Sequence, residues 1–371
     1  MNTLYNFIKV DFFWDNIDIF LSKLNERLSN GNNILNFGEE NIGDIEYYHK
    51  INTLYHQLEK NKNIHFIFNQ TANTSILNSF MSNDEYTIIN IDLFNSFLPT
   101  HLNLQRHKSS FSYKKNKPLL QIGNFNQDNR LLLLTILKKF LGDDLTYGFY
   151  PSKFWEDSCH EQYYNSIKEF TNIKYDDIKK YVFNLENHLD LDVNTDNTGF
   201  PYKTWPYEDS SISIISETNS PFEIDTIELS YLNVTEKTYR TIINHQPFLF
   251  FGGANQLEKL NMMGLYTFND VLPEKDYNLY EYIICYVENP ANYYIDVINK
   301  NLIYYLEKID TDNSFYEKIK TMCDSNFMCV KNEFNKIIQS NKFFRNKHNL
   351  QNYFRSAYNF EEAYYTEQEL I

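Results

Sequence analysis

Residues 211–253 read SISIISETNSPFEIDTIELSYLNVTEKTYRTIINHQPFLFFGG. Ile212 to Ile215 is a short apolar run of strand type, and the polar run Ser216-Glu217-Thr218-Asn219-Ser220 follows it directly. Thr235 is a good helix N-cap, and Tyr239, Ile242 and Ile243 fall on one face of the helix it would open. A second apolar strand then runs to Gly252-Gly253. Strand, polar loop, capped helix, strand is a βαβ unit, and in an open parallel sheet ligands bind beyond the carboxyl ends of the strands. Glu236 and Lys237 lie in the first turn of that helix, where backbone N–H groups lack helical partners, and Arg240 follows one turn later. A helix N-terminus flanked by cations suits a phosphate. Glu236, itself an anion, suits the hydroxyls of a ribose. The same residues also make an ordinary capped helix, so this segment alone does not decide between the two.

The flanking sequence repeats the pattern. Leu119 to Gly123 reads as a strand, Asn124 to Asn129 as a polar loop, and Arg130 to Leu141 as a helix stopped by Gly142. Arg130 therefore stands at the same topological place as Lys237. Towards the N-terminus, residues 14–29 and 44–60 have helical periodicity, while 64–68 and 87–91 are short apolar strands. The expectation is an α/β chain with an N-terminal domain over 1–112, a polar linker near 105–117, and a second domain over 117–345. An insertion at about 150–210 carries Trp155, Tyr163, Tyr164 and Trp205, which either pack or line a cleft. Beyond Gly253, helices are expected over 255–263 with Gly264 as C-cap, over 279–310 and over 313–346, before a tail to residue 371.

Composition narrows the function classes. The formal net charge of −15 argues against stable binding of duplex DNA, which favours basic proteins. Lys108, Lys114, Lys115 and Lys117 make one basic cluster that reads as a solvated loop. Cys159, Cys285, Cys323 and Cys329 form no CxxC pair and no zinc spacing, so they read as reduced thiols. The start of the chain lacks the pattern of a secretory signal and no apolar run is long enough for a membrane span, so a cytoplasmic location is expected. Heavy use of Asn, Ile, Lys and Tyr is what an AT-rich coding sequence gives, a phage or virus for instance.

The site motifs resemble those of the α-1,3-fucosyltransferases and their relatives. The resemblance rests on Ser216-Glu217-Thr218-Asn219-Ser220, on Leu232-Asn233-Val234-Thr235-Glu236-Lys237-Thr238-Tyr239-Arg240, and on Pro247-Phe248-Leu249-Phe250-Phe251-Gly252. Upstream, Gly123 to Arg130 is similar to the segment that opens the family's donor-binding domain, and KLNMMGLYTF at 259–268 resembles a form found in phage and bacterial glycosyltransferase-like proteins. Together these cover residues 117–275. The chain departs from the pattern by one residue inserted between Glu217 and Asn219, by Thr238-Tyr239 in place of Leu-Trp, and by Asn244-His245 in place of Ala-Gly.

The resemblance implies a GT-B-type enzyme: two Rossmann-like domains with an interdomain cleft and a helical C-terminal segment. It implies inverting transfer of a sugar from a nucleotide-sugar donor (GDP-, UDP- or similar) to an acceptor hydroxyl, with no metal or other cofactor. By position, Lys237 and Arg130 would neutralise the diphosphate, Glu236 would hold the ribose, and Glu217 and Asn219 would line the donor pocket, with Asn124, Thr235 and Arg240 beside them. Inversion needs a general base near the acceptor. Asp92, after the 87–91 strand, is the candidate, with Asp84 and Glu85 behind it and His65 as a weaker choice. The acceptor would be a glycan or, in a phage, a modified DNA base. A different class remains open at this stage: a non-catalytic glycan- or protein-binding relative, to which the many Tyr and Phe rings would suit sugar stacking.

Overall fold

The computed structural model describes residues 4–10, 17–37, 45–58, 63–69, 72–89, 117–124, 128–150, 164–165, 168, 174–178, 180, 205–217, 236–275, 277–278, 290–346, 348–350 and 352–353. It is a mixed α/β protein with two four-stranded parallel sheets. The chain divides into two compact units, one of Met1–Asn103 with Val330–Ile371, the other of Leu104–Cys329. Among the described residues no helix is long and apolar enough to cross a membrane.

The first unit alternates strands and helices: β1 (Tyr5–Lys9), α1 (Ile17–Arg27), β2 (Asn32–Asn36), α2 (Ile45–Gln57), β3 (Asn63–Asn69), α3 (Thr74–Phe80) and β4 (Tyr86–Ile89). The sheet order follows the chain, β1-β2-β3-β4. Each crossover steps the same way, and right-handed crossovers then put all three helices on one face. On that face Ile8, Val10, Leu35, Phe37, Phe66 and Phe68 pack with Leu24, Ile51, Leu54 and Leu77. The alternate residues belong to the other face, against which Phe343 and Tyr353 pack. Phe7 meets Tyr353 with ring centroids 5.7 Å apart, and His65 meets Phe343 at 4.4 Å. Burial on both faces is what a parallel sheet requires. Asn33, fully buried in β2, is saturated by its surroundings: its Oδ1 accepts from the Ser29 N–H and from Asn6, and its Nδ2 donates to the Ser29 and Gly31 carbonyls.

The second unit contains β5 (Pro118–Asn124), α4 (Asp128–Leu141), β6 (Thr146–Tyr150), the one-turn helices α5 (Tyr175–Ile178) and α6 (Trp205–Glu208), β7 (Ile212–Ser216), α7 (Glu236–Ile243), β8 (Phe248–Phe251) and α8 (Gln256–Met262). Two long helices follow, α9 (Pro290–Thr311) and α10 (Asn313–Ser340); the boundary between the units falls within α10. The sheet order here is β6-β5-β7-β8. The chain leaves β5 in one direction for β6 and then crosses back to the other side for β7 and β8. With right-handed crossovers, α4 and α7 cover opposite faces. Helix α9 packs on α4 and on β8. Most of the expected insertion, and the expected linker, lie outside the described residues.

The ends of α8 and α7 are set by residues in the left-handed region. After α8, Gly264 (φ 86°) donates to the Asn261 carbonyl while Leu265 reaches back to Leu260, as the sequence predicts for a glycine cap. After α7 the same motif is made by His245 (φ 50°): its N–H donates to Ile242, and that of Gln246 to Thr241. A histidine holds this backbone because its side chain is fixed, with Nδ1 2.8 Å from Asp324 Oδ1 and the ring stacked on Phe327 at 4.4 Å.

Candidate functional site

The order β6-β5-β7-β8 has a topological switch point between β5 and β7. Right-handed crossovers send the helices to opposite faces there, and the carboxyl ends of strands at such a point are where open α/β sheets bind ligands. The register Gln121↔Ile215 brings the end of β5 (Gly123, Asn124) beside the end of β7 (Ser216) and Glu217. Neighbouring strands lie roughly 4.8 Å apart. Helix α4 starts just past one of these ends and α7 follows the other, and both point their amino termini to this edge.

Of the cations on these helices, three lie nearest this edge. Arg130 is the third residue of α4, and Lys237 and Arg240 lie one turn apart on α7. All three are buried, at 5%, 7% and 2% exposure, and all three are engaged within the fold. Burying a guanidinium or an ammonium is costly unless anions or hydrogen bonds compensate. Arg130 and Lys237 stand in the first turns of their helices and Arg240 one turn further on, so their charges add to the positive ends of the helix dipoles.

Glu217 is the opposing charge. It is fully buried, its N–H donates to the Phe251 carbonyl (2.9 Å), and its Oε1 accepts from Thr238 Oγ1 at 2.7 Å. β8 leaves room for it through Gly252: a Cβ there would lie 2.7 and 2.9 Å from the Phe250 ring and 3.0 Å from Glu217 Cβ.

The rest of α7 is tied to the sheet by a buried polar network. Gln121 Nε2 donates to Thr241 Oγ1 (2.6 Å) and to Ser213 Oγ (3.0 Å). Thr241 in turn donates to the Lys237 carbonyl (2.9 Å), and Ser213 to Gln246 Oε1 (2.6 Å). Tyr207 OH donates to Gln121 Oε1 (2.8 Å), and Gln246 Nε2 donates to the carbonyls of Tyr207 and Ser210. Every amide hydrogen and hydroxyl of this network has an acceptor.

Past β8, Asn278 organises the next loop at the same edge. Its Oδ1 accepts from the Leu257 N–H (2.9 Å), its carbonyl from the Asn255 N–H (2.7 Å), and its Nδ2 donates to the Gly253 carbonyl (3.0 Å). Tyr277 OH accepts from the Phe250 N–H, and burial raises the phenol pKa well above the usual tyrosine value. Lys259 on α8 is half-buried, and desolvation lowers its ammonium to about 8.

The structure thus brings together Arg130, Lys237, Arg240 and Glu217 at one edge of one sheet. Asn124 ends β5 and Glu236 opens α7 at that edge as well. Asn219, Thr235 and Asp92 lie outside the described residues. The three remaining base candidates stand elsewhere, at the amino end of the first unit's sheet. Asp84 and Glu85 precede β4, and His65 is near the start of β3. Glu85 accepts from Tyr55 OH (2.7 Å) and the Ser82 N–H (2.8 Å); the tyrosine hydrogen bond lowers its carboxyl pKa, and the same bond pushes the Tyr55 phenol up to about 12. His65 Nδ1 faces the Asp84 carbonyl (3.1 Å), an acceptor only, so this nitrogen carries the proton and Nε2 accepts from Thr87 (2.6 Å). Burial holds this imidazole down to about 4, with Lys342 adding repulsion. Glu85 and His65 are held in structural hydrogen bonds, whereas Asp84 is exposed and contributes its backbone carbonyl.

Of the aromatic residues expected to pack or line a cleft, Tyr164 packs edge-on against Tyr175, and Trp205 is 41% exposed in the turn before the amino end of β7. Trp155 and Tyr163 lie outside the described residues. Among the described residues no three His, Cys, Asp or Glu side chains converge as a metal site would need. Gln121, Thr241 and Asn278 were not legible as site residues, and Thr238 and Gly252 entered only as positions within the quoted motifs. No protein-family model, curated protein or solved structure matches this chain.

Proposed function

We propose that the protein is a glycosyltransferase that takes a sugar from a nucleotide-sugar donor. The observation that carries the reading is the switch point between β5 and β7, flanked by Arg130 on one helix and Lys237 with Arg240 on the other. The resemblance of residues 211–253 to the fucosyltransferase motifs adds the chemistry. In this reading the two units, each with its parallel sheet, are Rossmann-like halves of a GT-B enzyme, and the second unit takes the donor.

The acceptor hydroxyl attacks the anomeric carbon and gives its proton to a general base, for which Asp92 stays the candidate. The bond from that carbon to the diphosphate oxygen breaks on the opposite face, so configuration inverts. Negative charge develops on the leaving nucleoside diphosphate, and Lys237, Arg240 and Arg130 stabilise it electrostatically together with the two helix ends. Glu236 receives the ribose hydroxyls. Glu217 and Asn219 line the sugar side, with Thr235 and Asn124 beside them. The three cations supply the charge that a divalent metal would otherwise bring.

The test is thermal unfolding of the protein with GDP, UDP, ADP, CMP and dTDP, repeated on Lys237→Ala. One diphosphate at a hundred times its Kd adds about 2.7 kcal/mol, a readily measured shift. That shift should vanish in Lys237→Ala. Absence of any shift in the wild-type protein refutes the reading and leaves a non-catalytic binding role. Retention of DNA on a filter at low salt would instead indicate a modified-base acceptor.

A further inference from the structure

Helix α7 is short, at eight residues, and almost all of it is buried, yet the side it turns to the sheet is not aliphatic. Thr238 and Thr241, one turn apart, meet Glu217 and Gln121. Lys237 and Arg240, also one turn apart, occupy the adjoining side. Aliphatic side chains at a helix–sheet contact tolerate small slides, because dispersion and burial are non-directional. Hydrogen bonds are directional and weaken steeply when misaligned. A slide of α7 by a fraction of a turn would break the bonds at Thr238 and Thr241 together, and each broken bond would strand a buried polar group. Gln121 is the hub. It is 1% exposed, comes from the middle of β5, spends both amide hydrogens on Thr241 and Ser213, and has its own carbonyl oxygen fixed by Tyr207. Thr241 passes the constraint to the Lys237 carbonyl, which belongs to the residue carrying the proposed phosphate ligand.

We propose that Gln121 and Thr241 are positioning residues: by fixing the register of α7 on the sheet they set where Lys237 and Arg240 stand at the ends of β5 and β7. Neither side chain touches the ligand. Their effect on it rests on the reading under Proposed function and acts through the helix. The network is complete without any bound molecule, so the cations are held in place before an anion arrives, which is how a site avoids ordering its side chains on binding.

The test compares Thr241→Val, Thr241→Ser and Gln121→Met with wild type. GDP, UDP, ADP and dTDP are titrated calorimetrically at 10 °C into each protein, its fold first checked by circular dichroism, and hydrogen exchange is followed in the peptide spanning 236–246. Thr241→Val is nearly isosteric but has lost the hydroxyl, whereas Thr241→Ser keeps it. The expected result is a Kd at least fivefold weaker for Thr241→Val and Gln121→Met, a Kd within twofold of wild type for Thr241→Ser, and exchange in 236–246 faster by tenfold or more in the first two variants only. Wild-type affinity in Thr241→Val and Gln121→Met, even with a lower Tm, overturns the proposal and leaves the network a stabilising device. If wild type binds none of the four nucleotides, the donor reading fails separately. The positioning role then stands or falls on exchange alone: unchanged protection of 236–246 in both variants overturns it.

Discussion

Replacing Gly252 with alanine probes the packing at the candidate site with a single added methyl group. Its φ lies outside the left-handed region, so the substitution introduces no backbone strain and the effect is steric. The new Cβ would stand 2.7 Å from Phe250 Cε1 and 3.0 Å from Glu217 Cβ, both well inside ordinary van der Waals contact. Phe250 is fully buried in β8 and its N–H is held by Tyr277, so its ring has little room to withdraw. Glu217 is contacted at the root of its side chain, so it cannot yield by a rotamer change. The end of β7 or of β8 has to move. Overpacking of this kind costs about 2 kcal/mol. For a unit running from Leu104 to Cys329, that corresponds to a fall in Tm of roughly 4–8 °C. Differential scanning calorimetry on wild type and Gly252→Ala measures it directly. The displaced Glu217 should also lengthen its bond to Thr238, so nucleotide affinity should fall with stability. A Tm within about 1 °C of wild type refutes the argument, because the contacts would then have relaxed without moving either strand.

The cap of α7 should invert the usual ranking of alanine and glycine. His245→Ala and His245→Gly both lose the Asp324 bond and the stacking on Phe327, but only alanine keeps a Cβ at φ 50°. His245→Gly should therefore be the more stable of the two by about 1 kcal/mol in urea unfolding; equal stability would show that the left-handed backbone is not strained. His65 should give the protein an acid sensitivity. Its folded pKa of about 4 lies below the ordinary 6.5, so the unfolded chain takes up the proton first and stability falls as pH drops from 6.5 towards 4. The full loss is roughly 3 kcal/mol. His65→Gln should flatten the urea midpoint across pH 7 to 4.5 by most of that amount, and an unchanged slope would dismiss His65 as its source.

The strands that announced themselves were those with short, mostly apolar runs. Ile64–Phe68, Leu119–Gly123 and Ile212–Ile215 fall within strands of the two sheets, as does Thr87–Ile89, while Asn90 and Ile91 of that expected strand lie outside the described residues. β1, β2 and β6 did not. β2 is the instructive case. Asn32-Asn33 follows Gly31 and reads as a helix breaker, yet Asn33 is buried in a strand because Ser29, Gly31 and Asn6 satisfy its whole amide. Only the folded neighbours reveal that satisfaction; in sequence, an asparagine pair after glycine is turn chemistry. β6, TYGFY, has a glycine at its centre and too few aliphatics to stand out. Helix α4 was legible to its last residue because Gly142 takes the left-handed conformation just past it.

The site was legible in its charges and not in its supports, for a physical reason. A cation at a helix start reports its chemistry locally, because dipole and charge act within one turn. Arg130 and Lys237 could therefore be read one segment at a time. Gln121, Thr241 and Ser213 act only as a set drawn from β5, α7 and β7, with Gln121 lying 120 and 92 residues from the other two, and none of them means anything alone. Gln121 in LLQIG looks like an imperfection in a strand; in the fold it is the residue that three elements share. The switch point has the same character. No single segment contains it, since it exists only once β7 has returned to the far side of β5. Sequence can thus nominate the groups that would carry charge. Their common location, and the rigidity with which α7 presents them, are properties of strand order and of a network closed across it. Substitutions in the network are for that reason the sharper test of the site: they leave every proposed ligand-binding group in place and change only how firmly those groups are held.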